Sequence, residues 1–209
     1  RDVMDLYGSP ACPHTNACLL VAGEKGVDLN CHPETDWGPS GSVRGMSPLG
    51  IGPILKDRSA TNYGLISCLS YLDDKGFGPS LVHRNGVTRA RMFQEMGVAA
   101  QADASDEASL SAALDVLDTT LGTDLGNMKG DYVCGQYTLA DACWAGLCQV
   151  EMNSGKGQAV SSRSRVNTWF AAVQSHPSTS KEAINPFSCM ATKADADAGT
   201  MREVRVNTG

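Results

Sequence analysis

The chain has 209 residues, 42% of them apolar, and a formal net charge of −6, enough apolar material to bury one large core or two small ones that share an interface. No apolar run approaches the length of a membrane span, and the acidic balance offers no basic surface to nucleic acid or anionic lipid. A soluble globular protein without either partner is the expectation.

Val3 to Tyr7 reads as a strand, and it runs into Gly8-Ser9-Pro10-Ala11-Cys12-Pro13-His14-Thr15, a turn that places a cysteine directly before a helix. A proline at the first helical position wastes no donor. The free N–H groups of a helix start carry partial positive charge, which favours the anionic thiolate, the nucleophilic and redox-active form of cysteine. Cys12 is therefore the first candidate for chemistry, with Ser9 in the same turn as a weaker hydrogen-bonding alternative. His14, in the first turn, is expected to face solvent, since a histidinium is disfavoured at a helix N-terminus.

The apolar run Ala17 to Ala22 followed by Glu24-Lys25-Gly26 reads as a helix with a glycine stop. Val27, Leu29 and Cys31 then alternate with polar residues as in a half-buried strand, completing a strand–helix–strand unit expected to pair in parallel. Residues 34–52 are rich in Gly, Pro and Ser and read as loop, with at most a helical turn near Val43 to Met46. Trp37 lies in this loop and is read equally as a ligand cover or a subunit contact. Gly52-Pro53 opens a further strand, where proline is tolerated; trans is the commoner state of such a bond, while a cis bond would hold Gly52 ready to meet a peptide-like ligand. A turn at Asp57-Arg58-Ser59 follows, then a helix face of Leu65, Ile66, Cys68, Leu69 and Leu72.

Between Asp74 and Gly86 the composition shifts to Gly, Pro and polar residues, the signature of a domain boundary. The apolar groups beyond it, from Met92 to Val173, recur at helical spacing. The expected organisation is an α/β domain over residues 1–74, a linker over 75–86, an all-helical domain over 87–189 and a tail over 190–209. Thr138-Leu139-Ala140-Asp141 is a capping box with Asp as its acid, a structural signal whose loss costs about 0.5–2 kcal/mol. Trp144 and Trp169 read as core. The eight cysteines contain no pair at metal-ligand or redox spacing, so they read as reduced and mostly buried, and no metal site is expected.

Three stretches taken together resemble the cytosolic glutathione transferase superfamily: Cys12-Pro13-His14-Thr15 after the first strand, Ser47-Pro48-Leu49-Gly50-Ile51-Gly52-Pro53 before the third, and Asp131 to Asp141 in the helical half. Val166 to Phe170 with His176-Pro177 is similar to the late helix of that family and its following turn. The resemblance covers nearly the whole chain. It implies a thioredoxin-like N-terminal domain that binds glutathione as co-substrate, an all-helical C-terminal domain that shapes a pocket for a hydrophobic small molecule, a homodimer, and a cytoplasmic location. An organelle is the alternative if Arg1 is a processed N-terminus. Cys12-Pro13 resembles the cysteine-type members, which favour thiol transfer through a mixed disulfide.

In the resemblance Gly52 and Pro53 orient the cysteinyl part of glutathione, and Asn62-Tyr63 takes the place of the acidic or glutamine residue and serine that hold its γ-glutamyl end. Ile51 and Asn16 stand where polar contacts are common. Losing one charge-assisted contact there is worth about 1.5–3 kcal/mol. The leading expectation is thiol transfer or glutathione conjugation through Cys12. The alternatives are a catalytically silent docking or structural subunit of a larger assembly, and a non-enzymatic binder of bulky hydrophobic ligands.

Overall fold

The computed structural model describes residues 3–34, 36–123, 130–177 and 203–204; Cys189 and most of the expected tail lie outside them. The first strand, β1 (Met4–Gly8), pairs in parallel with β2 (Leu29–Pro33), and Leu6 faces Cys31 in the register. Helix α1 (Pro13–Lys25) connects them and stops at Gly26, which takes the left-handed conformation (φ 60°) and bonds back to Ala22 and Gly23. Strand β3 (Ile54–Lys56) runs antiparallel to β1, and β4 (Thr61–Tyr63) antiparallel to β3. A short strand β5 (Glu203–Val204) joins the free side of β2, giving the order β4-β3-β1-β2-β5.

Alternation sets the layers. Met4, Leu6, Leu29, Cys31 and Leu55 are buried in one core with α1 and with α2 (Leu65–Lys75), while Asp5, Tyr7, Asn30 and His32, of the other parity, are half-buried. There His32 Nε2 lies 2.9 Å from Asp5 Oδ1 and its ring stacks on Tyr7.

The remaining helices are α3 (Gly86–Gln101), α4 (Glu107–Gly122), α5 (Leu139–Asn153), the short α6 (Gln158–Ser161) and α7 (Ser164–Ser175). Asn85 caps α3, accepting from the amides of Val87 and Thr88, and Asp106 caps α4. Helix α5 is apolar nearly all round and is enclosed accordingly. It packs directly on α1. The close approach centres on Gly146, where a Cβ would stand 2.9 Å from the Ala17 amide nitrogen and closer still to the Pro13 carbonyl.

Two buried polar hubs fix this arrangement. Asp141 accepts from the Val133 amide (2.9 Å), the Thr138 amide (2.9 Å) and hydroxyl (3.1 Å), and Trp169 Nε1 (2.9 Å), so the capping box also ties the loop before α5 to α7. Burial pushes its carboxyl up to about 6 against the pull of these donors. Glu95 on α3 accepts from Thr120 on α4 and Trp144 on α5 and pairs with Arg91 at 3.1 Å. A third pin joins α1 and α2 to the connection that leads into α3: Lys25 Nζ is 3.0 Å from Asp73 Oδ1, both side chains are buried, and Asp73 also accepts from the Leu81 amide and the Ser80 hydroxyl.

Candidate active site

The strand register brings the separate candidates to one end of the sheet. Tyr7 faces Ile54, and Ile54 faces Tyr63, so the end of β1, the start of β3 and the end of β4 share a rim. From that rim start α1, behind Cys12, and α2, behind Gly64. Neither helix carries an acidic residue in its first turn. Two helix N-termini at one rim present amide donors and partial positive charge to a single volume, an arrangement suited to a thiolate or a carboxylate.

Cys12 is the N-cap residue of α1, Pro13 follows at the first helical position, and no side chain caps this helix. The turn is closed from both sides. The Cys12 amide donates to the Ser9 carbonyl (2.9 Å), and the Cys12 carbonyl accepts from the Asn16 amide (3.1 Å). Asn16, wholly buried, donates through Nδ2 to the carbonyls of Pro10 (3.0 Å) and Cys12 (3.2 Å). The Ser9 hydroxyl accepts from the Ala11 amide at 3.2 Å and so serves the turn. Thr15 packs on Gly8, where a side chain would meet its methyl group at 2.7 Å, and this holds the first turn of α1 down on β1.

Among the described cysteines Cys12 alone is half-exposed; Cys18, Cys31, Cys68, Cys134, Cys143 and Cys148 are buried. Burial pushes the thiols of Cys143 and Cys148 far up and that of Cys134 to about 11. Cys18 is raised by its hydrogen bond with Cys68 and by burial. The raised thiols are of low reactivity in their apolar surroundings, whereas Cys68 is lowered by its hydrogen bond with Cys18 against the effect of burial.

The Gly52–Pro53 bond is cis, so at this position the minority state expected of an X-Pro bond is the one adopted. Ser47, fully buried, holds the preceding residue: its hydroxyl donates to the Ile51 carbonyl (2.8 Å) and accepts from the Ile51 amide (2.9 Å). The Pro53 carbonyl accepts from the Gly64 amide at 2.9 Å, which couples the cis dipeptide to the start of α2. The indole of Trp37 lies on Gly52. A Cβ there would stand 2.7 Å from Cζ2 and 2.9 Å from Cζ3, so this surface is available only because residue 52 has no side chain.

Three sequence expectations are altered. Asn62 and Tyr63, read as standing at the helix start, belong to β4; the helix begins at Leu65 behind Gly64, whose φ of 82° explains the glycine. The pair at the α2 start is thus Gly64-Leu65, with no polar side chain, while Asn62 keeps a buried Nδ2 without a partner. His14 does not simply face solvent: desolvation lowers it, opposed by a hydrogen bond to the Ala100 carbonyl of α3. Asn16, read only as standing where a polar contact is common, is the clamp of the Cys12 turn. Its signal was a single amide four residues after Cys12, next to an apolar run.

Among the described residues no group of His, Cys, Asp and Glu could hold a metal ion, and no helix is long and apolar enough to cross a membrane. A cavity of about 280 Å³ between α4 and α7, lined by Leu121, Arg165 and Trp169, and one of about 210 Å³ at the opposite end of the sheet, lined by Met4, Asp57 and Phe77, both lie away from Cys12.

The architecture is the two-domain fold of the glutathione transferases. Solved structures similar to it include glutathione S-transferase III in its apo form (TM-score 0.68, 22% identity, 85% of this chain and 94% of that one). A maleylacetoacetate isomerase from Methylobacterium extorquens AM1, solved with malonate and glutathione bound, has a TM-score of 0.72 at 17% identity over 84% of this chain and 94% of its own. A serine-to-cysteine variant of a poplar glutathione transferase gives 0.67 at 22% identity over 85% and 95%. No protein-family model matches the sequence. Among characterised sequences the chain is 26% identical over 160 residues to a stringent starvation protein A homologue from Coxiella burnetii, spanning 69% of this chain and 76% of that protein. The chain therefore has a glutathione transferase-like fold.

Proposed function

We propose that the protein binds glutathione or its mixed disulfides at this rim and exchanges them through Cys12. The observation that carries the reading is the half-exposed Cys12 at an uncapped helix start, on the same rim as the cis Gly52–Pro53 dipeptide and a second helix N-terminus. Gly52 offers one amide and one carbonyl to the peptide-like middle of glutathione. The amides at the start of α2 take the γ-glutamyl carboxylate without help from side chains. In the exchange step the Cys12 thiolate attacks the glutathione sulfur of a mixed disulfide; the S–S bond breaks, the other thiol leaves as thiolate, and Cys12 carries the glutathione. A second glutathione thiolate then attacks that glutathione sulfur, restoring Cys12 and forming glutathione disulfide.

Incubating the full chain with glutathione disulfide and mapping adducts by mass spectrometry tests this. A single adduct on Cys12, lost in Cys12→Ser and reversed by reduced glutathione, is the expected result. A Cys12→Ser chain that keeps full thiol-transfer turnover would refute the assignment.

A second reading is a silent docking subunit that retains the fold without the chemistry. It draws on Gly64-Leu65 at the γ-glutamyl position and on the apolar fringe of Leu49, Ile51, Tyr63 and Ile66 around the rim, each at least 40% exposed. Calorimetric titration with reduced glutathione separates the two. Saturable sub-millimolar binding favours exchange, and no heat from a folded sample at millimolar ligand favours the docking subunit.

A further inference from the structure

Among the described residues the outermost strands of the sheet are β4 and the short β5, which covers what is otherwise the open edge of β2. Glu203–Val204 pairs antiparallel with Leu29–Asn30, Val204 opposite Leu29 and Glu203 opposite Asn30. An open strand edge presents unpaired amides and carbonyls and invites pairing with any extended chain. We infer that the outer edge of β2 is a strand-acceptor site whose occupant is this chain's own segment around Glu203–Val204, docked in cis and displaceable.

Three observations support this. First, Glu203-Val204-Arg205-Val206 alternates charged with β-branched residues, a composition common in strands. Second, the acceptor is short and bounded: Pro33 ends β2 and has no N–H to give. Third, the geometry favours the molecule's own tail. His176, just past α7, lies with Nδ1 3.3 Å from Glu24 Oε2 near the end of α1, and only Gly26 to Asp28 separate that helix from β2. The last described helix, α7, therefore ends beside the start of the acceptor strand, and a segment joined to it by the same chain competes at high effective concentration with any free strand. A two-residue ladder holds by few bonds, so the cover is displaceable.

The test is hydrogen exchange on the full chain and on Glu203→Pro/Val204→Pro. Successive strand residues point their amides to opposite sides, so the double substitution removes the donor to β2 whichever residue supplies it. The expected result is exchange at least tenfold faster for an amide of Leu29 or Asn30 in the variant, with β1 amides unchanged. Protection should return when a synthetic peptide of residues 200–207 is added to the variant, and the peptide should have no effect on the native chain. Equal exchange in both chains overturns the inference, as does failure of the peptide to protect. Protection of the native chain that rises with protein concentration overturns the cis arrangement and assigns the strand to a second copy.

Discussion

Cys12 differs from the other described cysteines in where the backbone puts it: half-exposed at a helix start, while the others are buried. Its environment is made by small partners: Gly8 admits Thr15, Asn16 clamps two carbonyls, and Gly52 admits Trp37. The last pair is directly testable. In Gly52→Val the new side chain meets the indole, and because Trp37 lies on the rim the damage is local: a cost of about 1–3 kcal/mol in stability, a changed Trp37 emission, and reduced glutathione binding by calorimetry. A Gly52→Val chain that binds glutathione unchanged would mean that Trp37 does not border the ligand.

Between elements, the contact of α1 with α5 carries the rim into the helical domain. Gly146 is the point of closest approach, and its neighbour across the interface is Pro13, the residue after Cys12. Gly146→Val therefore forces α5 away from the start of α1. The expected outcome is a loss of about 1–3 kcal/mol from overpacking in chemical denaturation, together with an altered rate of Cys12 modification by an aromatic disulfide reagent. The Lys25–Asp73 pair works at the other end of α1, enclosed and shared with Pro79, Ser80 and Leu81. Removing one charge strands the other, so Asp73→Ala should cost about 3–5 kcal/mol, whereas Lys25→Met with Asp73→Leu should recover much of it. Denaturant midpoints of the three chains decide this.

For the whole molecule, the buried carboxylates fix how stability follows pH. Burial works to raise Asp57, but donors from Tyr71, Ser59 and Ala60 outweigh it and hold it well below the usual carboxylate range. Asp73 is likewise held low, its burial outweighed by the Leu81 amide, Ser80 and Lys25. A folded-state value below the unfolded one contributes stability above the unfolded value, near 4, that is lost as pH falls further. Asp141 has the opposite sign: raised to about 6, it favours the fold most at low pH, and its contribution is lost as pH rises through 6. Melting temperatures from pH 7 to 3 should therefore fall on the acid side below 4, with a flatter acid limb in Asp57→Asn and in Asp73→Asn. An acid limb unchanged in both variants would show that other groups govern acid unfolding.

Local pattern was sufficient wherever a residue's own neighbours decide its state. The alternation of Val27 to Cys31, the apolar run of α1 with its glycine stop, the Thr138–Asp141 box and the placement of Cys12 before a proline-led helix are all written over a few residues. The two-domain architecture was legible from the order of those signals. What local pattern could not supply was contact between distant segments. Asn62-Tyr63 read as a helix start because three residues of β4 carry too little periodicity to separate a strand from the turn before a helix. The Trp37–Gly52 contact, the His14 link to α3, the Gly146 approach and the pairing of β5 with β2 each join residues far apart in the chain, and only the packed fold sets such distances. Sequence by itself determined most of the elements and the placement of Cys12 before a proline-led helix; tertiary structure decided the shape of the rim around it and the cover on the sheet's free edge, because close packing depends on which small residue lies opposite which large one.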